Sequence, residues 1–568
     1  MIHGGRVVAQ ALKAEGVSHL FTLCGGHIQS IYDGCLDEGI RVVDTRHEQS
    51  AGHAADGYAR VTGKPGVCAV TAGPGVTDVV TAAANAFRAG VPMVIIGGAG
   101  PRVFQHMGSL QDMDHIELMK TVTKWAVRVD ETRRIFEFMT IAFRKAMSGV
   151  PGPVFLEMPL DLLMEFVDAE TIPRPANYRS DARPAPDPRY LAQAIERVRQ
   201  AKKPMAIVGS QVRWSRDPLG VVSRFVETGI PTFVNGMARG LVDPTGPHFL
   251  NRSRKVGLKN ADLIVICGTP FDFRLAYGIS QAIAPGSQSG NAGGGLLTLQ
   301  RPAINPNAAI VQIDLDAEEV GRNRANGVEV GLVGDTGLLL EALVDGLGDL
   351  DPARLDEWRA QIQADEAKQW DSMRSEIGKA SDPPNPLRVC DAVNRFVRPG
   401  DIVVGDGGDF IGTAAYVVKP YGLGSWMDPG PLGTLGVGPG YAMAAKLLRP
   451  EARVILLLGD GTFGLSGMEF EALARQNIPV VGIVGNDAGW TQILRGQKQI
   501  YGEKRVVATT LDFTRYDKIV EACGGHGEWV ETDAELVPAL ERAFASQKPS
   551  LVNIKIASSL FRSGSISV

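Results

Sequence analysis

Val454-Ile455-Leu456-Leu457-Leu458-Gly459-Asp460-Gly461-Thr462 reads as a buried strand that breaks into a glycine turn, and 24 residues separate Gly461 from Asn486-Asp487-Ala488-Gly489-Trp490. The run Val454 to Leu458 is short, β-branched at its start and closed by glycine and aspartate, which suits a strand of a sheet covered on both faces. A helical stretch through Met468 to Gln476 and a second apolar run, Val480 to Val484, complete a strand-helix-strand unit. Parallel strands joined this way bring Asp460 and Asp487 to one carboxyl edge, where doubly wound sheets bind ligands. Two hard oxygen ligands beside glycine amides suit Mg²⁺ holding a diphosphate. The plainer alternative is an ordinary turn with solvated acids.

Outward from this unit the alternation continues. Gly66 to Val70, Val91 to Ile96, Met205 to Val208, Leu263 to Ile266, Ile310 to Ile313, Ile402 to Val404 and Ser550 to Ile554 are further apolar runs between amphipathic stretches. Such alternation predicts an α/β protein built on mainly parallel sheets. Two proline-rich stretches interrupt it, Phe166 to Pro188 and Ala380 to Pro386. They divide the chain into expected doubly wound domains at 1–165, 186–350 and 386–545, with a helical connection before the third and a strand and tail at 546–568. The first and third could be duplicates of one architecture. The small-residue tract Ala284 to Gly295 reads as a surface loop.

Composition narrows the function. The chain has 568 residues, with 58 Lys and Arg against 63 Asp and Glu and a net charge of -5. That leaves no basic surplus for a phosphate backbone, so nucleic acid is not an expected partner. No apolar run approaches the ~20 residues a bilayer span needs. The N-terminus carries charges rather than a leader pattern, so a cytoplasmic location is expected. Six cysteines without CxxC spacing suit reduced core thiols. The 67 glycines are about 12% of the chain against an average of roughly 7%, and they cluster where apolar runs end.

The GDG turn followed by Asn486-Asp487 resembles the diphosphate motif of thiamine diphosphate (ThDP) enzymes. That resemblance implies Asp460, Asp487 and the Gly489 carbonyl as Mg²⁺ ligands, with Asn486 instead if the register is one off. Asp487 stands where the family usually has a second asparagine. It also implies that Gly459, Gly461 and Thr462 hold the phosphates, with Trp490 beside them. A second element agrees: Arg46-His47-Glu48-Gln49-Ser50-Ala51-Gly52-His53-Ala54-Ala55-Asp56-Gly57-Tyr58-Ala59-Arg60 is similar to the family's RHEQ segment. Glu48 would then be the carboxylate that activates the aminopyrimidine; read without the resemblance it is a helix N-terminal acid. Thr71-Ala72-Gly73-Pro74-Gly75 resembles the turn lining the pyrimidine pocket, implicating Thr71 and Pro74, with Asp78 where relatives usually carry Asn. Gly433-Thr434-Leu435-Gly436 resembles the turn whose first carbonyl, on Gly433, meets the cofactor's amino group while Leu435 props it bent. Gly407 and Gly408, after the strand from Ile402, would approach the diphosphate side.

Across the whole chain the resemblance runs to the acetolactate synthase-like family and within it to the 2-hydroxyacyl-CoA lyases. It implies cleavage of the C1-C2 bond of a 2-hydroxyacyl-CoA to formyl-CoA and an aldehyde or ketone, reversibly, by a homodimer or homotetramer with active sites between subunits. Gln111 resembles the synthases' substrate-facing glutamine. The central domain would hold the ADP moiety of CoA rather than FAD, with Arg274 and Arg322 as phosphate partners, since a guanidinium fork suits phosphate. The tail, with Phe561 and Arg562, would close over the site. Gly496 stands where close relatives carry Glu, leaving water or His27, His47 or His106 to move that proton. The alternatives are an acetolactate synthase with FAD, and a ThDP-fold scaffold without catalysis.

Overall fold

Apolar runs buried on both faces form the central strands, and most of the helices between them bury one face, while Glu48–Thr62 and Gly438–Leu448 are buried almost all round. In the computed structural model, which describes residues 1–279, 303–322, 327–348, 350–557 and 561, three parallel sheets carry the molecule. The Ala284 to Gly295 tract and Arg562 lie outside the described residues. The first sheet runs, from one edge to the other, Arg41–Asp44, His19–Thr22, Gly66–Val70, Met93–Ala99, Pro153–Pro159 and Ala126–Arg128. The last runs Trp426–Met427, Ile402–Asp406, Val454–Gly459, Val481–Asn486, Ser550–Lys555 and His526–Val530. Numbered by order of appearance, both follow 2-1-3-4-6-5. The five-stranded central sheet, Thr232–Val234, Pro204–Val208, Leu263–Cys267, Ala309–Asp314 and Val330–Val333, follows 2-1-3-4-5. Every pairing within these sheets is parallel; the short strands Ile2–His3 and Phe166–Val167 pair antiparallel beside them.

The first and last sheets meet through equivalent helices. Glu48–Thr62 follows the second strand of one and Gly438–Leu448 the second strand of the other, and the two pack together. Close approach needs the absence of side chains: a Cβ on Gly440 would stand 2.7 Å from the Ser50 carbonyl oxygen, and one on Gly57 would stand 2.9 Å from Tyr441 Cα. A buried polar knot ties the same surface. Asp56 accepts from Arg60 Nε (2.6 Å), Asn85 Nδ2 (3.0 Å) and the Tyr441 hydroxyl (2.7 Å). A carboxylate this buried is stable only while so many donors satisfy it. The residues of this interface belong to a core shared by the two sheets.

The helix Asp356–Ile377 links the central sheet to the last. Among the described residues no helix is long and apolar enough to cross a membrane, and no cysteine is in a disulfide.

Candidate active site

The carboxyl edge of the last sheet carries the acids that the sequence singles out. Asp460 opens the helix Asp460–Ser466 directly after its strand and is buried. Its carboxylate accepts from the backbone N–H of Gly461 (2.7 Å) and Gly489 (3.0 Å). This joins the two turns that lie far apart in sequence. Asp487 is the next acid along the edge and accepts from the Thr491 hydroxyl (2.5 Å). Burial pushes its pKa up to about 7, and the charges of Asp460 and Asp409 push the same way. Burial also raises Asp460. Trp490 covers the turn: a Cβ on Gly461 would stand 2.7 Å from its ring. Asn486 is fully buried and turned inward, its Oδ1 accepting from Ala488 N–H (3.2 Å) and its amide donating to Asn553 Oδ1 (3.2 Å). Gly407 lies beside the same turn, its Cβ position 3.1 Å from the Gly459 nitrogen and 3.4 Å from Thr462 Oγ1. Gly408 faces Gln492, and the next residue, Asp409, is gripped by both terminal nitrogens of Arg495 (3.0 and 2.9 Å).

The corresponding edge of the first sheet holds Glu48. It is buried at the first position of its helix, whose N-cap His47 accepts from Gln49 N–H (3.1 Å). Its Oε1 lies 3.4 Å from where a Cβ on Gly75 would stand, so the carboxyl faces the turn at 73–75. Burial raises its pKa above the usual carboxylate range, and the Asp78 charge adds to that. Thr71 Oγ1 lies 3.0 Å from His27 Nδ1 and 3.5 Å from Gln111 Oε1. Gln111 itself has φ 62, a conformation that costs a non-glycine residue energy and marks a position held by its surroundings.

Two residues that sequence reasoning passed over brace the site. His115 Nε2 accepts from the Gly73 N–H (2.8 Å), and its Nδ1 lies 2.7 Å from Glu157, so the buried imidazole fixes the turn beside Glu48. Asp406 is fully buried at the end of its strand and accepts from the N–H groups of Gly436 (3.0 Å) and Gly438 (2.6 Å). It therefore holds the turn that contains Gly433 and Leu435. Gly433 is exposed, with φ 69 and open space around its Cβ position, and Leu435 is half-buried. The two edges approach here: Gln49 Nε2 donates to the Leu435 carbonyl (3.4 Å), and Arg46 N–H to Glu469 (3.0 Å).

Family profiles decide the reading. A thiamine pyrophosphate enzyme N-terminal TPP binding domain matches residues 2–118, a central domain 191–343 and a C-terminal TPP binding domain 406–554. The chain belongs to the thiamine pyrophosphate enzymes. Full-length relatives agree. The chain is 38% identical over 553 residues to the acetolactate synthase large subunit IlvG of Mycobacterium tuberculosis, covering 97% of this chain and 95% of that one. It is 38% identical over 610 residues to 2-hydroxyacyl-CoA lyase 2 of Bos taurus (100% and 92%) and 37% identical over 607 residues to that of Homo sapiens (100% and 92%).

For a thiamine pyrophosphate enzyme the donor set fits the metal that would carry the diphosphate. Asp460 is buried and Asp487 half-buried, they are like-charged neighbours, and among the described residues neither has a cationic partner. A divalent cation with oxygen preference would satisfy both. The remaining candidates lie elsewhere. Arg274 lines the carboxyl edge of the central sheet, with its fork on Asp272 (3.0 and 2.6 Å). Arg322 is a surface residue paired with Glu319.

Proposed function

We propose that this enzyme is a Mg²⁺-dependent 2-hydroxyacyl-CoA lyase, splitting the C1-C2 bond of a 2-hydroxyacyl-CoA into formyl-CoA and an aldehyde or ketone. The observation that carries this reading is the end-to-end match of the chain to relatives named 2-hydroxyacyl-CoA lyase 2. Bound thiamine pyrophosphate supplies a carbon nucleophile and an electron sink for the bond that breaks. The chain's own residues do the rest. Glu48, with its raised pKa, holds a proton against the cofactor's pyrimidine nitrogen. Asp460, Asp487 and the Gly489 carbonyl hold Mg²⁺, and Gly459, Gly461, Thr462, Gly407 and Gly408 form the wall around the diphosphate. The Gly433 carbonyl and Leu435 side chain orient the cofactor, held by Asp406 from behind. Thr71 and Pro74 shape the pyrimidine pocket, and Gln111, strained and directed at the same turn, positions the substrate's hydroxyl or carbonyl.

The active form in this reading is a homodimer or homotetramer with sites between subunits. The exposure of Val103, Phe104, Met107, Leu110 and Met113 around Gln111 supports it, because a cluster of bare apolar side chains beside a site is what a partner subunit would cover. A second reading, acetolactate synthesis from pyruvate, rests on the equal identity to IlvG.

The test incubates purified protein with thiamine pyrophosphate, Mg²⁺ and a 2-hydroxyacyl-CoA and follows formyl-CoA by mass spectrometry, beside a pyruvate-to-acetolactate assay and a Glu48→Gln control. Formyl-CoA lost in the control is expected. Acetolactate without formyl-CoA would move the assignment to the synthase.

A further inference from the structure

Around Glu48 the backbone N–H groups find their acceptors nearby, with two exceptions that reach into the other half of the chain. Thr45 N–H donates to the Thr22 carbonyl (2.9 Å), Gln49 N–H to His47 Nδ1 (3.1 Å), and the N–H groups of Ser50 and Ala51 to the His47 carbonyl (3.0 and 3.2 Å). Arg46 N–H instead lies 3.0 Å from both carboxylate oxygens of Glu469, 423 residues away. The His47 N–H and the Ser50 hydroxyl bond to the same carboxylate. Backbone donors turned into a protein must be paired, so Glu469 completes the run that delivers Glu48.

The carboxylate is held firmly in its turn. Glu469 is only 1% exposed, a placement that costs energy unless such donors meet it. Burial pushes its pKa up to about 7, against the pull of the Arg46, Ser50 and His47 donors. It opens the helix Glu469–Arg475, whose N-terminal end favours an acid. That helix is anchored from below, since Phe470 and Leu473 are fully buried and Gly467, just before it, has no room for a Cβ against the Phe463 ring. A second contact flanks the first: Arg475 forks onto Asp44 (3.1 and 2.7 Å), and Gln476 Nε2 donates to the Asp44 carbonyl (2.8 Å). This outer ion pair is exposed and contributes little.

Glu48 rides on the run that Glu469 holds. It is the first residue of its helix, one position after His47, and its carboxyl faces the turn at 73–75. A shift of the backbone at Arg46 and His47 therefore carries the carboxyl with it. Displacing a reacting group by about 1 Å is enough to slow chemistry up to about 100-fold.

We propose that Glu469 is a positioning residue for Glu48, clamping the chain at Arg46 and His47 so that the Glu48 carboxyl is held where it works. The clamp lies within one chain, so it serves whichever subunit supplies the diphosphate turn. It rests on the reading of Glu48 as the carboxyl that handles the cofactor's proton, and it holds for the lyase and the synthase alike. The first measurement uses the enzyme without cofactor: amide hydrogen exchange, read by mass spectrometry, in the wild type, Glu469→Gln and Arg475→Gln. Glutamine keeps one acceptor oxygen but turns an amide donor towards the same run. Exchange from Arg46 to Ser50 should quicken on the order of tenfold in Glu469→Gln and stay within about twofold of wild type in Arg475→Gln, which loses only the exposed pair. The second measurement follows turnover of the holoenzyme. At saturating cofactor kcat should fall about tenfold in Glu469→Gln, with thiamine pyrophosphate affinity within about twofold of wild type. Combined with Glu48→Gln, the same substitution should slow turnover no further, because a residue that acts through Glu48 has nothing left to position. Should Glu469→Gln fail to fold, Ser50→Ala, which removes one donor to the carboxylate, takes its place with changes of about threefold in exchange and kcat. Wild-type exchange from Arg46 to Ser50 in the folded variant, a kcat loss that multiplies with that of Glu48→Gln, or a loss confined to cofactor affinity would each overturn the proposal. Wild-type turnover in Glu48→Gln would overturn the reading of Glu48 and the proposal with it, whereas wild-type turnover in Glu469→Gln beside a slow Glu48→Gln would overturn the clamp alone.

Discussion

The first and last sheets share one strand order and carry different chemistry at equivalent ends. After the third strand, the first sheet turns through Gly73-Pro74-Gly75 and the last through Gly459-Asp460-Gly461. After the second, one places Glu48 at a helix start and the other places the turn around Gly433 and Leu435. The first half thus sets one buried carboxyl, Glu48, beside the exposed His47 and Asp78, where burial above all raises its pKa, as the proposed proton transfer requires. The second sets two carboxylates side by side, where burial and then their mutual charge raise the pKa of Asp487, an arrangement that fits the proposed Mg²⁺. The scaffold decides where side chains arrive; the residue at each strand end decides what they do. In the proposed function the two halves must meet, since the proton is assigned to one end and the metal to the other.

Removing the proton function should have the largest effect. Glu48→Gln keeps the shape and loses the titrating group, so turnover should fall on the order of 10³-fold while thermal stability stays level or rises, because a buried carboxyl has been replaced by a neutral amide. Turnover near wild type would show that the first half does not supply the proton. Removing the metal function from the other half should act on binding. Asp460→Asn should lose Mg²⁺-dependent uptake of thiamine pyrophosphate, read from the fluorescence of Trp490 beside the turn. Glu48→Gln should keep that signal, and an identical loss in both variants would erase the division of labour.

The braces sharpen the comparison further. Asp406 fixes the turn of the last sheet with a buried carboxyl whose pKa is pushed up to about 7 by burial, which its two backbone bonds only partly offset. A carboxyl with a higher pKa folded than unfolded prefers its neutral form in the fold. Its burial therefore adds no charge penalty near pH ~4, costs stability as the pH rises towards 7, and changes nothing above that. The Tm of the wild type minus that of Asp406→Asn should fall between those limits and level off. A difference independent of pH would show that Asp406 keeps one charge state throughout. Because the Asn amide presents a donor where two N–H groups point, kcat should also drop, by about tenfold.

How much of this was legible in sequence follows from what is local. The central strands announce themselves: Val454–Gly459 and Gly66–Val70 are apolar runs ended by turn residues. Trp426–Met427, at two residues, and Ala126–Arg128, half-exposed at an edge, carry no such pattern, and Pro153–Pro159 hides between prolines that usually break strands. At the site, Glu48 and Asp460 sit in turns whose chemistry is written in adjacent residues. Asp406 and His115 act on backbone 30 to 32 and 42 residues away, and no neighbouring residue signals that. Arg322 could have been discounted at once, since Glu319 stands one helical turn before it. Glu469 reads in sequence as one more acid of the helical stretch through Met468 to Gln476, but that it meets the Arg46 N–H is decided 423 residues away.

The smallest effect should come from the brace of the first half. His115 accepts the Gly73 N–H through Nε2, which assigns the proton to Nδ1 and the Glu157 carboxylate as its acceptor. His115→Phe keeps the ring's bulk and leaves the Gly73 N–H buried without a partner, at a cost of about 1 to 3 kcal/mol. Because the turn backs Glu48 and does not itself react, the loss should appear as weaker thiamine pyrophosphate binding of a few-fold, with kcat at saturating cofactor close to wild type. A fall in kcat equal to that of Asp406→Asn would mean that the two turns are braced to the same end, and that the halves differ in their acids alone.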